Sequence, residues 1–272
     1  MKTRVIAGLC MAPLLLFLYW GGLPLIAITA AICYIGVTEF YNGWEALGVK
    51  PSKTIAYVMT TLLFAIHLVC RFKELDLALN YFLLVWVVLS IAVSLVYGWK
   101  ITERGPYDAV ATAVGLIYVV FFAYHIVLID MTMHDMIWLV VIASFGSDIM
   151  AYFTGMALGK HKLAPNLSPK KTIEGAVGGV VGAGILCMIL GLIISGKDAM
   201  LTYLILGAIA GGVSQCGDLT ASAFKRKMGI KDYGKLIPGH GGIMDRFDSV
   251  IFTAPFVYMC IVVLMLVVGS TI

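Results

Sequence analysis

The sequence predicts an all-α, polytopic integral membrane protein of about nine transmembrane helices. Three observations predict it. The 272 residues are 61% hydrophobic and only 12% charged, whereas about a quarter of a soluble domain is charged. The apolar residues fall into runs of about 20, the length that a bilayer core requires of a helix. Finally, the basic residues collect in every second connection between those runs.

Reading apolar runs against Gly, Pro and charged breaks places spans at roughly 5–20, 23–46, 54–71, 75–98, 108–129, 135–158, 173–195, 199–224 and 247–269. Span 1 is short, and Gly21, Gly22 and Pro24 separate it from span 2. Without that break one helix would run about 60 Å at ~1.5 Å per residue, twice the hydrocarbon thickness. The opening MKTRVIAGLCMAPLLLFLY has the basic flank and apolar core of a secretory signal. Ahead of eight further spans it reads as a retained first helix. The first five spans are chemically plain; Glu39, His67 and His125 within them read as polar groups satisfied between helices. No internal repeat is evident, so residues 1–272 read as one helical domain. Residues 1–139 are mostly scaffold and 140–272 carry the chemistry.

With nine spans, one face receives Lys2, Arg4, Lys50, Lys53, Lys100 and Arg104, then Lys160, Lys162, Lys170 and Lys171. The same face receives Lys225, Arg226, Lys227, Lys231, Lys235 and Arg246. Of the 19 Lys and Arg residues only Arg71, Lys73 and Lys197 fall on the other. This bias puts the N-terminus in the cytoplasm and the C-terminus outside, with both polar segments, 159–172 and 225–246, on the cytoplasmic face. Anionic headgroups account for the net charge of +4, so nothing calls for nucleic acid as a partner. The six cysteines (Cys10, Cys33, Cys70, Cys187, Cys216 and Cys260) lie in or beside apolar segments without CxxC spacing. They read as small buried hydrophobes rather than a disulfide framework or a zinc site.

Three polar clusters converge on the ends of spans 6 to 9. In SFGSDIMAYFTGMALGK, Asp148, Tyr152, Gly155 and Gly159 recur at helical spacing and share a face. An aspartate inside a span is a functional hypothesis by default; an interhelical hydrogen bond is the plainer alternative. In LAPNLSPKKTIEG, Ser168-Pro169 sets up a turn into span 7, Lys170 and Lys171 add charge, and Thr172 can cap the helix that Glu174 begins. A helix N-terminus with free N–H groups beside two lysines suits a phosphate. A positive-inside anchor with a routine cap is the other reading. The third cluster is the densest. Asp218, Ser222 and Lys225 lie on one helical face with Arg226 one step round, and a glycine-rich turn holding His240 follows. Asp245, Arg246 and Asp248 then open span 9. Carboxylates from two helices facing each other beside lysines and arginines are what metal-assisted phosphoryl transfer needs. An oxygen-only donor set favours Mg²⁺ over Zn²⁺. Mn²⁺ would serve too, and a second cation has room in such a site. A salt-bridged loop at the membrane edge is the structural alternative.

The string SxFKRxxxxKDxGxxIPxHGGxxDRxD, met in full from Ser222 to Asp248, resembles the signature of the phosphatidate cytidylyltransferases, also called CDP-diacylglycerol synthases. The GDL at 217–219, SDIMAYFTG and HKLAPNLSPKKTIEG resemble the bacterial members as well. The resemblance covers roughly 140–250 by motif and the whole chain by hydropathy and size. It implies cytidylyl transfer from CTP to phosphatidate, giving CDP-diacylglycerol and pyrophosphate for phospholipid synthesis. The membrane it implies is the bacterial inner membrane, with the site facing the cytoplasm.

In that reading Asp218, Asp245 and Asp248 hold the metal, and Lys225 and Arg226 bind phosphate oxygens. Lys170 and Lys171 reach the triphosphate. Ser168, Thr172, Glu174, Ser222, Arg246, Asp148 and Tyr152 complete the substrate surroundings. His240 reads as a loop organiser or phosphate donor ahead of a general base. The partners are CTP, phosphatidate and membrane lipids, with a homodimer compatible. The main rival is an ion-coupled transporter using Asp148 and Asp218. A CDP-alcohol phosphatidyltransferase would need a DGxxARxxxxxSxxGxxxDxxxD pattern that this chain lacks, and a structural membrane scaffold would leave the signature without a purpose.

Overall fold

A computed structural model describes residues 15–236 and 241–269. Among these, eight helices are long and apolar enough to cross a membrane: α1 Gly22–Glu45, α2 Lys53–Phe72, α3 Asp76–Tyr97 and α4 Pro106–Met133. The others are α5 Met136–Leu158, α6 Ile173–Ile194, α7 Met200–Met228 and α8 Met244–Gly269. The protein is an all-α polytopic membrane protein. These helices correspond to the second to ninth spans read from the sequence. Most of the expected first span lies outside the described residues; its last part, 15–20, is helical.

Local chemistry sets the helix ends. Gly21 and Gly22 both have positive φ, at 60° and 57°, which glycine adopts without steric penalty, and this is the break the sequence marks. Asp130 secures it by accepting from Gly22 N at 2.7 Å. Ser52 caps α2 by accepting from Ile55 N at 3.2 Å. At the start of α4, Asp108 accepts from Gly105 N and from Lys50 N, at 2.7 and 2.6 Å. Gly229, left-handed at φ 70°, stops α7. That helix runs one turn beyond the expected residue 224, so Lys225, Arg226 and Lys227 ride in its last turn, where the negative end of the helix favours cations.

Helix α4 is central: 72% of its apolar window is buried against 28% for α3, which therefore sits at the periphery. Within α4, Gly115–Phe121 widens into a π-helical turn. The Tyr41 ring lies against Gly115, where any side chain would collide with it. Its hydroxyl donates to Thr112 O at 2.6 Å. Both a π turn and a side chain pressed against the backbone ladder are sites where a long helix bends.

Helices α5, α6 and α7 pack on one another and α7 packs on α8. Glycines line the α5–α6 seam. A Cβ on Gly175 would sit 2.8 Å from Ala151 O, and one on Gly179 would sit 2.9 Å from Ser147 O, so the backbones approach closely. One apolar cluster joins α1 and α4 to α7 and α8: Phe40 packs edge-on against Phe224 at 5.2 Å, and Tyr118 against Phe252 at 6.2 Å.

Two sequence expectations are corrected. The segment containing Ser168-Pro169 is not a turn into a helix. Ser168–Thr172 (β2) is a strand pairing antiparallel with Lys162–Ala164 (β1), and the helix begins only after Thr172. Of the cysteines, Cys33, Cys70 and Cys187 are free and buried, but Cys216 is exposed. The polar groups of the early spans do have partners: His67 Nδ1 bonds the Tyr124 hydroxyl at 2.7 Å, and His125 Nδ1 bonds Phe121 O at 2.8 Å.

Candidate active site

The β-hairpin borders an open cavity of about 390 Å³ between α5, the hairpin, α6 and α7. Asp148, Tyr152 and Gly155 line it from α5, on the face the sequence spacing predicted. Lys170, Lys171 and Thr172 line it from β2, and Gln215 lines it from α7. Gln215 Nε2 holds this corner by donating to Ser147 Oγ at 3.0 Å and to Ala176 O at 2.9 Å.

Thr172 caps α6 as the sequence suggested, its Oγ1 accepting from Gly175 N at 3.1 Å. The helix entrance is nevertheless less open than expected, because Ile173 N already donates to His161 O at 2.9 Å. Glu174 turns away from the cavity and accepts from Lys160 N at 3.0 Å and bonds His161 Nδ1 at 2.6 Å. It closes the base of the hairpin. Charge for an anion is therefore supplied chiefly by the two lysines and the helix dipole. Lys170 makes no ion pair among the described residues.

Lys171 joins this cavity to the second half of the site through its ion pair with Asp218 on α7. Asp218 also lies near enough for its charge to act on Asp148 and on Asp248. Lys225, about two helical turns beyond Asp218, reaches Asp245 Oδ1 at 2.9 Å and comes within 3.9 Å of Asp248 Oδ2. The two carboxylates on α8 differ. Asp248 is buried and accepts from Ser249 N at 2.8 Å. Asp245, with a side chain only 2% exposed, has Oδ2 fixed by Tyr233 N at 2.8 Å and Gly242 N at 3.0 Å. Among the described residues, its Oδ1 is bonded only by Lys225, at 2.9 Å.

The remaining sequence candidates fall around this pair of sites. Arg226 is exposed and donates from Nε to Leu167 O at 3.3 Å, tying α7 to the hairpin. Ser168 lies in β2 and Ser222 is half-buried on α7. Arg246 Nε is buried without a hydrogen-bond partner among the described residues. His240 and its neighbours from 237 lie outside the described residues. Two contributors escaped the sequence reading, Gln215 and Tyr233, whereas Glu39 is the polar group satisfied between helices that the sequence suggested, here as an anchor of this loop. The Glu39 carboxylate accepts from Ile243 N at 3.2 Å and Met244 N at 2.9 Å. What the sequence could not show is that its partners are the amides at the start of α8, 204 and 205 residues away.

Among the described residues, no three His, Cys, Asp or Glu side chains lie close enough to form a metal cage by themselves. The donor set still fits a hard divalent ion. Mg²⁺ is ordinarily held by one or two carboxylates with substrate phosphates and water completing the shell. Asp245 supplies one oxygen already oriented by backbone amides and a second bonded to the exchangeable Lys225 ammonium.

A bundle of membrane helices with carboxylates on α7 and α8, a lysine-lined cavity beside them and a clamp of hairpin over the top defines a membrane-embedded phosphoryl-transfer enzyme. Comparison with known proteins makes the class specific. The model of the cytidylyltransferase family matches residues 2–264, and the chain belongs to that family. It is 30% identical to the phosphatidate cytidylyltransferase of Thermotoga maritima, with 95% of each chain covered. It is 33% identical to that of Synechocystis sp., with 97% of each covered. It is 32% identical to that of Bacillus subtilis, over 95% of this chain and 96% of the relative.

Proposed function

We propose that the protein transfers a cytidylyl group from CTP to phosphatidate, releasing pyrophosphate and forming CDP-diacylglycerol. The observation that carries this reading is the Lys171–Asp218 pair, which links an anion-suited cavity to the acidic ends of α7 and α8. A nucleotide triphosphate lying in the cavity would have its α-phosphate at that junction. A lipid phosphate would approach from the membrane edge.

The reaction forms a bond from a phosphatidate oxygen to the α-phosphorus of CTP and breaks the bond from that phosphorus to the bridging oxygen of the pyrophosphate. Both reactants are anions. At ~4 Å and an effective dielectric of ~20, each like-charge pair costs about 4 kcal/mol, so cations must meet them. Lys170, exposed on the hairpin, binds the outer phosphates. Lys171 exchanges Asp218 for a phosphate oxygen, and Lys225 does the same from Asp245. No proton needs to be removed from the attacking phosphate, which is anionic at neutral pH. The protein therefore works by orienting and by electrostatic stabilisation.

Asp218 and Asp245, with Asp248 beside them, would hold Mg²⁺. When bound, that ion would offset charge on the transferring and leaving phosphates. The excess of Lys and Arg assigns the hairpin and the α7–α8 connection to the cytoplasm, where CTP is made, and in a bacterium the membrane is the inner one. An ion-coupled transporter finds no support in these comparisons.

The test is to incubate purified protein with radiolabelled CTP, phosphatidate and Mg²⁺ and to measure label entering the lipid phase. A liponucleotide that appears only with all three supports the reading. Label that stays wholly aqueous under these conditions would end it.

A further inference from the structure

Glu39 stands far from the cavity in sequence, on a helix that contributes no residue to the cavity lining, yet it touches the most chemically dense loop of the molecule. Its two oxygens accept from Ile243 N and Met244 N, the amides that open α8. An α-helix leaves its first N–H groups without intrahelical partners, and here a carboxylate from α1 meets two of them. The same carboxylate fills the space beside Gly234 and Gly242. Any Cβ at either position would collide with it, and one on Gly234 would also crowd Gly242 Cα at 3.0 Å. Gly242 in turn donates to Asp245 Oδ2 at 3.0 Å. One carboxylate therefore fixes the backbone on which the next carboxylate is hung.

We infer that Glu39 is a positioning residue for the reaction: from α1 it sets the entry to α8, and thereby where Asp245 and Asp248 point. It does not touch substrate. This assigns the N-terminal half a part in the site, and it explains why two glycines of the loop carry no side chain. The geometry is tight, and a displacement of about 1 Å in reacting groups costs about 10²-fold in rate. The inference rests on the cytidylyl-transfer reading for its activity arm alone.

The experiment compares wild type, Glu39→Ala and Glu39→Gln in detergent, following kcat, KM for CTP and amide hydrogen exchange. Alanine removes both acceptors, so kcat should fall about 10²-fold with KM for CTP within about twofold, because the cavity lysines are not disturbed. Exchange should quicken at 241–245 and stay unchanged in α5 and α6. Glutamine keeps one acceptor oxygen and should recover much of kcat. Wild-type kcat in Glu39→Ala, or unaltered exchange at Ile243 and Met244, would overturn the inference. So would exchange quickened throughout the helices of Glu39→Gln, which would make Glu39 a general fold residue. A wild-type protein that transfers no cytidylyl group would instead end the functional reading, while exchange would still decide whether Glu39 holds the loop.

Discussion

Asp218 and Asp245 are both aspartates of the proposed metal site, but their surroundings separate what their removal should do. Asp218 is 27% exposed at its side chain and pairs with Lys171. Asparagine there removes charge without stranding a buried donor. Asp218→Asn should lower cytidylyl transfer by about 10²–10³-fold, the cost of losing one electrostatic group in a transfer site, with an unchanged melting temperature. Asp245 accepts from two backbone amides on one oxygen and from Lys225 on the other. Asparagine has one acceptor oxygen, so its NH₂ must face either the amides or the ammonium. Asp245→Asn should therefore lose activity and also destabilise the fold by about 1–3 kcal/mol. Thermal unfolding in detergent read beside turnover distinguishes the two variants. Lys170 has no ion pair among the described residues, whereas Lys171 is held by Asp218. Lys170→Ala should chiefly raise KM for CTP, and Lys171→Ala should chiefly lower kcat; an unchanged KM in Lys170→Ala would remove that lysine from the triphosphate site.

At the scale of elements, the α5–α6 seam depends on backbone approach. A Cβ at Gly179 would meet Ser147 O at 2.9 Å and Gln215 Nε2 at 2.6 Å, whereas one at Gly212 on α7 would find only Val180 at 3.7 Å. Overpacking of this kind costs about 1–3 kcal/mol. Gly179→Ala should lower the melting temperature and weaken turnover, and Gly212→Ala should match or slightly exceed wild type, since alanine also favours the helix. Equal behaviour of the two would show that the seam is not closely packed. The helices themselves were legible because an apolar run of membrane length has few other solutions, and the Thr172 cap was legible from local residue type. The hairpin was not. Its strands, Lys162–Ala164 and Ser168–Thr172, are short and lack alternating hydrophobicity, and β2 contains Pro169. Such pairing follows from what packs around it, and not from propensity. The π turn was hidden for a related reason, because the ring packed against it, Tyr41, belongs to another helix. Glu39 and Ile243 meet across 204 residues, a separation at which no spacing rule operates. The pairings of Lys171 with Asp218 and of Lys225 with Asp245 were hidden too, since the sequence shows that charges gather but not which oxygen each ammonium takes.

For the whole molecule, the strongest organising constraint is that lysine-lined hairpin and acidic loop share one face. The structure gives the physical link: Lys171 of β2 bonds Asp218 of α7, and Arg226 of α7 bonds Leu167 of the hairpin connection. Because α6 and α7 are antiparallel neighbours joined by the short 195–199 connection, that connection must lie at the opposite end of the bundle. The distribution of Lys and Arg then chooses which end faces the cytoplasm. A single cysteine placed at Lys162, Lys231 or Lys197, all exposed, reads this out with a membrane-impermeant maleimide, in a background with the exposed Cys216 replaced. In intact bacterial spheroplasts, label should reach Lys197→Cys and spare Lys162→Cys and Lys231→Cys. In inverted vesicles the pattern should reverse. If positions 162 and 231 labelled from opposite sides, the bundle could not bring cavity and carboxylates together, and the single-site chemistry would fail. If both labelled from outside, the site would remain whole but would face away from CTP, which would leave the proposed reaction without its soluble substrate.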